Sequence, residues 1–269
     1  MSSVATAAAP NIAMTTDNPY EPPHADDLQS ARGCSWLTWL AVAAVAGLIV
    51  VSLLLPMSRR GVPAVARRAA CANNLRAIAL AMLAYEQQHG TLPPACTRDA
   101  DGRPLHSWRT LILPHLEERE LYDSIDLTKP WDDPANAAAR ERMPSVYRCP
   151  SSTAPAGHTT YMVVVSPDGC FREDGSVSVG AVRQPTKTLL VAEFPTSRAV
   201  PWMAPEDADE EMFLAIGLDA LPDHRGGMAN LAMADSRIIN LFPTDTSACG
   251  PECRRSLIRT DDRKIDPVE

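Results

Sequence analysis

A run of twenty residues without a charge, residues 36–55, constrains this chain more than any other feature. At about 1.5 Å per residue, a helix of this length spans about 30 Å, the thickness of the hydrocarbon core of a bilayer. Trp36 and Trp39 lie near its beginning, where amphipathic rings favour the headgroup layer, and Pro56 ends it. A buried core helix of this length normally carries polar residues. We therefore expect a single transmembrane helix over residues 36–56.

The segment before this run shows no periodic apolar pattern. Residues 1–35 are rich in Ala, Thr and Pro and predict a disordered tail. A cleaved signal peptide is the alternative to an anchor, because residues 64–66 (AVA) have the small-x-small pattern of a cleavage site. The apolar run is longer than the hydrophobic region of a signal peptide, and Arg59, Arg60 and Pro63 separate it from that site. An uncleaved anchor is therefore favoured.

Charge excludes one class of partner and bears on orientation. The chain has 33 acidic and 25 basic residues and a net charge of -8, so nucleic acid is not an expected partner.

Before the apolar run the only basic residue is Arg32. The basic residues that follow it are Arg59, Arg60, Arg67, Arg68 and Arg76. By the positive-inside rule, this distribution indicates a cytoplasmic C-terminal region.

A second helix is predicted beyond Pro63 from the spacing of its apolar residues. Steps of four and three connect Cys71, Leu75, Ile78, Met82, Tyr85 and His89 in one stripe. Gly90 and residues 93–94 (PP) predict that this helix ends near His89. His89 is expected to be a helix-end residue, since no second His or Cys lies four residues away. Residues 61–63 (GVP) predict a break before the helix, because Gly and Pro are the weakest helix formers.

Shorter helices are predicted in the middle of the chain. Residues 105–122 have helical spacing, with Ser107 as N-cap and an interruption at Pro114. Asp133 and Pro134 predict an N-cap and a first-turn proline for a helix that runs through Arg142.

Beyond residue 150 the pattern changes to short β-branched runs. The predicted strands are residues 160–165, 177–182, 188–194, 228–234 and 237–242. No long crossover helices alternate with them, which favours an antiparallel sheet. The predicted fold class is α+β, with the amphipathic helix packed on the sheet in a domain over residues 57–245 and a C-terminal tail over residues 246–269.

Many ordered motifs carry a resemblance to a known family. They are residues 53–56 (LLLP), 66–76 (ARRAACANNLR), 93–94 (PP), 107–109 (SWR), 113–117 (LPHLE), 130–132 (PWD), 148–151 (RCPS), 201–202 (PW), 205–207 (PED) and 224–235. From about residue 36 to residue 242 the chain resembles the bacterial family of pseudopilin-like domains of unknown function that is abundant in planctomycetes. The resemblance implies a pilin-like fold with a prepilin-like N-terminal helix, and a domain outside the cytoplasm. It also implies partners among envelope proteins or pseudopilin-like subunits, and no established enzymatic activity.

The chain departs from this family at two places. A full prepilin signal has a Glu shortly after its Gly, but no Glu follows Gly33 in the apolar helix, so we expect an uncleaved anchor in a monomer or small complex rather than a filament. The family's C-terminal motif is His, nine residues, then Asp-Gly. Here ten residues separate His224 from Asp235, and Ser236 replaces the Gly. A non-Gly residue disfavours a turn with φ > 0, so a different hairpin geometry is expected.

The polar residues offer no specific catalytic pattern. His224, Asp235, Glu193 and Asp207 are the residue types of a metal or acid–base site, but their spacing is not diagnostic. We expect His224 and Asp235 to bond to turn backbone, and we assign no catalytic, metal-binding or cofactor-binding residue. The alternative is a membrane-tethered metal-dependent enzyme or ligand-binding domain that uses the His224 and Asp235 region.

Four of the seven cysteines form two candidate pairs. Cys249 and Cys253 are spaced to close a small disulfide loop or to provide two soft metal ligands. Cys71 and Cys149 would form a disulfide that links the helix to the sheet if they are oxidised. The alternative for each is a buried apolar thiol, and the outcome depends on the compartment. The arginines indicate the cytoplasm, whereas the resemblance implies export. We favour export, because long domains translocate largely regardless of charge.

Overall fold

The computed structural model describes residues 36–54, 64–216, 228–241 and 251–260, with side chains of the first helix described over residues 36–48. The chain divides into two compact units, Met1–Gly61 and Val62–Glu269. The predicted tail over residues 1–35, the predicted break at residues 61–63 and His224 lie outside the described residues.

The helices, in chain order, are α1 (Trp36–Leu54), α2 (Ala64–His89), α3 (Trp108–Leu111), α4 (Arg119–Asp123), α5 (Ala137–Arg140), α6 (Glu210–Leu214) and α7 (Pro251–Ile258). The strands are β1 (Cys96–Arg98), β2 (Pro104–Ser107), β3 (His158–Thr159), β4 (Tyr161–Met162), β5 (Val164–Val165), β6 (Phe171–Arg172), β7 (Gly175–Ser176), β8 (Leu189–Glu193), β9 (Val200–Pro201), β10 (Ala208–Asp209), β11 (Ala229–Met233) and β12 (Ile238–Leu241). Among the described residues, 3₁₀ turns lie at Leu113–Leu116, Pro134–Asn136, Ser145–Tyr147, Val179–Ala181 and Thr196–Arg198.

The first unit contains α1, whose 19 residues include no charge. Its large apolar side chains are exposed, with Trp36 at 71% and Leu48 at 69%. Within the part of the chain that the structure describes, no helix has both the length and the apolarity needed to cross a membrane.

The stripe predicted for α2 is confirmed as the face that enters the core. Cys71, Leu75, Ile78 and Met82 are all 0% exposed, and the helix contacts β8, β11 and β12 of the main sheet. The helix ends at His89, followed by Gly90 with φ +83°. The Gly90 amide donates to the Glu86 carbonyl at 2.7 Å, which closes the last turn. The exposed His89 stacks on Tyr85, as suits a helix-end residue.

The main sheet has the strand order β12-β11-β8-β4, and all of its pairs are antiparallel. β8 and β11 are buried along their whole length. They contact α2, and several of their side chains also belong to an apolar cluster that includes Phe213 and Ile258. An α+β fold with antiparallel pairing is therefore confirmed. α7, which carries Ile258, lies inside the segment predicted as a C-terminal tail.

A second four-stranded sheet, of order β10-β5-β6-β7, contains parallel pairs in addition to the predicted antiparallel pairing. β10 pairs with β5, and β5 with β6, in parallel. These parallel pairs contain only one or two residues each.

The strand predicted at residues 177–182 is wrong, because that segment forms a 3₁₀ turn at Val179–Ala181. Glu86 of α2 explains the difference. Its Oε1 accepts hydrogen bonds from the Ser178 hydroxyl and the Val179 amide, both at 2.6 Å. The Ser178 hydroxyl in turn accepts from the Gly180 amide and caps the turn. A contact from a distant helix has overridden the local β-branched pattern.

The helical segment predicted over residues 105–122, with its interruption at Pro114, is divided into β2, α3, a 3₁₀ turn and α4. The predicted cap is correct, since the Ser107 hydroxyl accepts from the Arg109 amide at 3.2 Å. Pro114 lies in the first turn of the 3₁₀ segment, where its missing amide is tolerated. The cap at Asp133 is also correct, although the helix after it ends at Arg140 rather than Arg142.

The hairpin between β11 and β12 keeps the geometry that Ser236 was expected to exclude. Ser236 has φ 65°, in the left-handed region. Its amide donates to the Met233 carbonyl at 2.8 Å, and the Met233 amide donates to the Arg237 carbonyl at 2.9 Å. The pairing of the two strands therefore imposes this turn on Ser236, although a positive φ is unfavourable for a residue with a Cβ atom.

Replacement of Ile78 by Glu tests the packing of α2. Ile78 is 0% exposed, so Ile78→Glu removes an apolar contact and buries a carboxylate, and we expect the free energy of unfolding to fall by at least about 3 kcal/mol. Leu80→Glu is the control on the same helix, because Leu80 is 52% exposed and should tolerate the change. Denaturant unfolding measures both. Equal stability of the two variants would contradict the assignment.

Replacement of Ser236 by Gly tests the turn. Gly adopts φ > 0 without a Cβ penalty of about 1–2 kcal/mol, partly offset by its greater freedom when unfolded, so Ser236→Gly should stabilise the chain by about 0.5–1 kcal/mol. Ser236→Ala keeps the Cβ and should bring no such gain. Thermal melting compares the two, and an equal gain from Ala would show that the backbone strain is absent.

Candidate functional site

The four polar residues singled out in the sequence are not brought together where the structure describes them. Glu193 ends β8, Asp207 precedes β10, and Asp235 lies in the turn before β12, while His224 falls outside the described residues. Within those residues, one group of three potential metal ligands has its ligand atoms within 4.8 Å of one another, namely Cys71, Cys149 and Glu193. That group contains neither Asp207 nor Asp235.

Asp235 has a local structural role. Its Oδ1 accepts from the Arg237 amide at 3.2 Å, and its Oδ2 lies 2.6 Å from Nε of the same residue. The expectation that Asp235 bonds to turn backbone is therefore confirmed.

Asp207 forms a buried ion pair that the sequence did not predict. Its Oδ1 lies 2.7 Å from Nη2 of Arg109, and the two side chains are 3% and 0% exposed. The same oxygen accepts from the indole N–H of Trp108 at 3.0 Å and from the Val163 amide at 3.1 Å. Burial raises the pKa of the Asp207 carboxyl, while the Arg109 charge and these donors oppose the shift. One oxygen of the carboxylate thus carries three hydrogen bonds.

Arg109 joins four segments of the domain through its guanidinium and its backbone carbonyl. Nε and Nη2 donate to the Tyr161 carbonyl at 3.1 and 2.9 Å, and Nη1 donates to the Ser107 hydroxyl at 2.8 Å. Nη1 also donates to the Ala204 carbonyl at 3.3 Å. The Tyr147 hydroxyl donates to the Arg109 carbonyl at 2.7 Å. A guanidinium has enough N–H groups for such a set of partners, whereas a lysine does not.

The sequence contained a signal for this pair that composition alone could not reveal. Arg109 belongs to the motif at residues 107–109 and Asp207 to the motif at residues 205–207, which are two of the motifs that carry the family resemblance. Their separation along the chain gave no reason to pair them.

The Cys71–Cys149 disulfide is present and links α2 to the segment before the main sheet, with Cα atoms 5.0 Å apart. Glu193, 1% exposed, is the third member of this group, and its Oε2 accepts from the Asn230 side chain at 2.5 Å. Metal ligation by cysteine requires a thiolate, which a disulfide does not provide. Cys253 is also disulfide-bonded, while Cys249 lies outside the described residues.

A cavity of about 180 Å³ lies beside Asp207. Besides Asp207, its wall includes Cys96, Arg98, Arg172 and Glu173. Cys96 is a free, half-buried cysteine that the sequence reasoning did not single out. The arrangement brings a thiol, two guanidiniums and the exposed carboxylate of Glu173 to one concave surface.

Comparison with known proteins gives one match. A family model described as a protein of unknown function, DUF1559, matches residues 64–217, which is more than half of the chain. No curated protein and no solved structure matches the chain. The match includes α2, the Arg109–Asp207 pair and the cavity residues.

Replacement of Asp207 by Asn tests the buried ion pair. Asn keeps the shape of the side chain but leaves the Arg109 charge buried without a counter-ion, so the free energy of unfolding should fall by about 3–5 kcal/mol. Asp123→Asn is the matched control, because Asp123 pairs with Arg119 at 2.9 Å while both side chains are exposed. Exposed pairs contribute little. Similar unfolding curves for the two variants would show that the buried pair is not a stabilising centre.

Proposed function

The chain belongs to this DUF1559 family of proteins of unknown function, and from that premise we propose that it is a single-pass, membrane-anchored, pseudopilin-like protein of the cell envelope with a structural or interaction role. In this proposal the anchor is the predicted span over residues 36–56, which includes α1, and the domain that begins with α2 lies outside the cytoplasm. The protein has no catalytic activity of its own in this view, and its partners are envelope proteins or related pseudopilin-like subunits.

The Cys71–Cys149 disulfide is the observation that carries the proposed location. Disulfides persist in oxidising compartments and are rare in the cytosol, where thiols are kept reduced. This bond closes a sequence separation of 78 residues within the domain, and Cys253 is in a disulfide as well. Export of the domain accounts for the Cys71–Cys149 bond and for the oxidised Cys253. The arginines that follow the apolar run favour the opposite orientation.

The character of α1 supports the anchor. The helix has no charged residue, and its described apolar side chains are exposed in every direction around the axis, including Leu37, Leu40 and Val45. A helix that is apolar all round requires an apolar environment. Residues 36–55 are long enough to supply such a helix for a bilayer core.

A structural role is favoured over catalysis by the bonds that three of the polar residues singled out in the sequence form. Asp207 bonds to Arg109, Glu193 to Asn230 and Asp235 to Arg237. The alternative, a membrane-tethered metal-dependent enzyme or ligand-binding domain built on His224 and Asp235, has less support because Asp235 is already paired. The lack of a Glu in the apolar helix favours a monomer or small complex over a long filament.

A fusion of alkaline phosphatase after Glu269 tests this proposal, because the enzyme is active only outside the cytoplasm. We expect an active fusion that stays in the membrane fraction after a carbonate wash. Val45→Arg together with Leu48→Arg should release it from the membrane, since each Arg near the centre of a span costs about 2.5–3.5 kcal/mol.

Val45→Leu together with Leu48→Val is the matched control and should behave as the unmodified fusion. An inactive fusion that accumulates to a normal level would overturn the location. Carbonate release of the unmodified fusion would overturn the anchor.

A further inference from the structure

Three potential metal ligands meet in the interior of the domain. Cys71 comes from α2, Cys149 from the segment before the main sheet, and Glu193 from the end of β8. Their exposed fractions are 0%, 2% and 1%. The two sulfurs and a carboxylate oxygen of Glu193 all lie within 4.8 Å of one another. Thiolate and carboxylate are both ligands of zinc, so three donors of the right type are gathered at one place.

The spacing of these atoms suits zinc once the disulfide is reduced. With zinc–sulfur bonds of about 2.3 Å and zinc–oxygen bonds of about 2.0–2.2 Å, tetrahedral zinc separates its two sulfurs by about 3.8 Å and a sulfur from an oxygen by about 3.6 Å. The Cα atoms of Cys71 and Cys149 are 5.0 Å apart. A change in the side-chain torsions of the two cysteines can therefore bring the sulfurs to the zinc spacing without a shift of the backbone.

Glu193 is held in place by two asparagines on the neighbouring strands. Nδ2 of Asn230 on β11 donates to Oε2 of Glu193 at 2.5 Å, and Nδ2 of Asn240 on β12 donates to Oδ1 of Asn230 at 2.8 Å. Asn230 and Asn240 are paired in the register of the two strands. Carboxylates that bind a metal are usually oriented by hydrogen bonds of this kind. The position of the Glu193 carboxylate is thus fixed before any metal binds.

We propose that Cys71, Cys149 and Glu193 bind one zinc ion when the disulfide is reduced, so that the domain has a disulfide-bonded form and a zinc-bound form. Three protein ligands leave the fourth position of the ion to the second oxygen of Glu193 or to a water molecule. In both forms α2 stays linked to the segment before the main sheet. The zinc form adds a link to β8.

The two forms are related by thiol–disulfide exchange. A dithiol breaks the bond between the two sulfurs, transfers two electrons and two protons to them, and becomes a disulfide itself. Zinc then displaces one proton from each thiol, because the thiolate is the ligand. In the reverse direction the two thiolates pass two electrons to the disulfide of an oxidant, which takes up two protons from water. The bond between the sulfurs forms again, and zinc is released.

This site does not depend on the membrane role proposed above, because its three residues lie in the unit Val62–Glu269. The compartment decides which form is present. Oxidising compartments maintain disulfides, and the cytosol keeps thiols reduced.

The experiment measures the zinc content of the full chain in detergent, in both redox states. Cys249→Ser and Cys253→Ser first remove the other pair of candidate soft ligands. The chain is unfolded, reduced with a phosphine, refolded without oxygen in the presence of Zn²⁺, and freed of loose metal by gel filtration. Plasma mass spectrometry then counts the bound metal. We expect about one zinc ion per reduced chain and at least about tenfold less in the disulfide form, because ligation requires thiolates.

Two further measurements report on the ligands and on the fold. Co²⁺ in place of Zn²⁺ should give thiolate-to-cobalt charge-transfer absorption and the visible bands of a tetrahedral site, and Zn²⁺ should abolish both. Zinc should also raise the melting temperature of the reduced chain and leave that of the disulfide form unchanged, since a ligand stabilises only the state that binds it.

Variants of the three ligands separate this site from other thiols. Cys71→Ser together with Cys149→Ser should abolish zinc binding. Glu193→Gln keeps the size of the side chain and an oxygen for the Asn230 bond but removes the charge, so it should weaken zinc binding by at least about tenfold. Cys96→Ser is the control, because Cys96 is a free cysteine outside the group, and it should bind zinc as the parent does. The melting temperature of the disulfide form of Glu193→Gln shows that this variant folds.

A reduced chain that retains no zinc, or that fails to fold when zinc is present, would overturn the proposal. Zinc that remains after both cysteine changes would do the same, and so would a Glu193→Gln variant that binds as tightly as the parent. Loss of zinc in the ligand variants with full binding in Cys96→Ser would establish the site. None of these outcomes bears on the activity or membrane retention of the phosphatase fusion, so the two proposals fail separately.

Discussion

The ion pair between Arg109 and Asp207 is the interaction on which the described domain depends most. Two charges removed from water are stable only if their remaining hydrogen-bonding groups are also satisfied, because the desolvation cost otherwise exceeds the attraction. Arg109 meets this condition with backbone carbonyls of segments far apart in sequence, and Oδ1 of Asp207 meets it with the Trp108 indole and the Val163 amide. The pair thereby fixes α3, β4 and the approach to β10 relative to one another.

The same pair leaves one acceptor of Asp207 unused. All three protein donors meet on Oδ1, whereas Oδ2 is buried and has no hydrogen-bond partner among the described residues. Buried polar atoms are nearly always hydrogen-bonded, so this oxygen is the least satisfied atom of the ion pair.

Two links between α2 and the rest of the domain show how a long helix can serve as its frame. The Cys71–Cys149 disulfide ties the first half of α2 to the segment before the main sheet. Glu86, near its other end, holds the turn at Val179–Ala181. Between them the buried stripe packs on the sheet. Covalent, polar and apolar contacts along one helix thus hold elements that are each too short to be stable alone.

Local chemistry by itself determined the elements whose signals lie within a few residues: the stripe and the end of α2, the caps at Ser107 and Asp133, and the strands β8, β11 and β12. Periodicity and capping act over one or two turns, so one sequence suffices to predict them. The tertiary structure decided the rest. Glu86 made a turn of a β-branched run, the hairpin held Ser236 at φ 65°, and the fold paired Asp207 with Arg109. Those outcomes depend on contacts with residues far along the chain. The free energy of these contacts exceeds the local conformational preference, and the spacing of neighbouring residues does not reveal them.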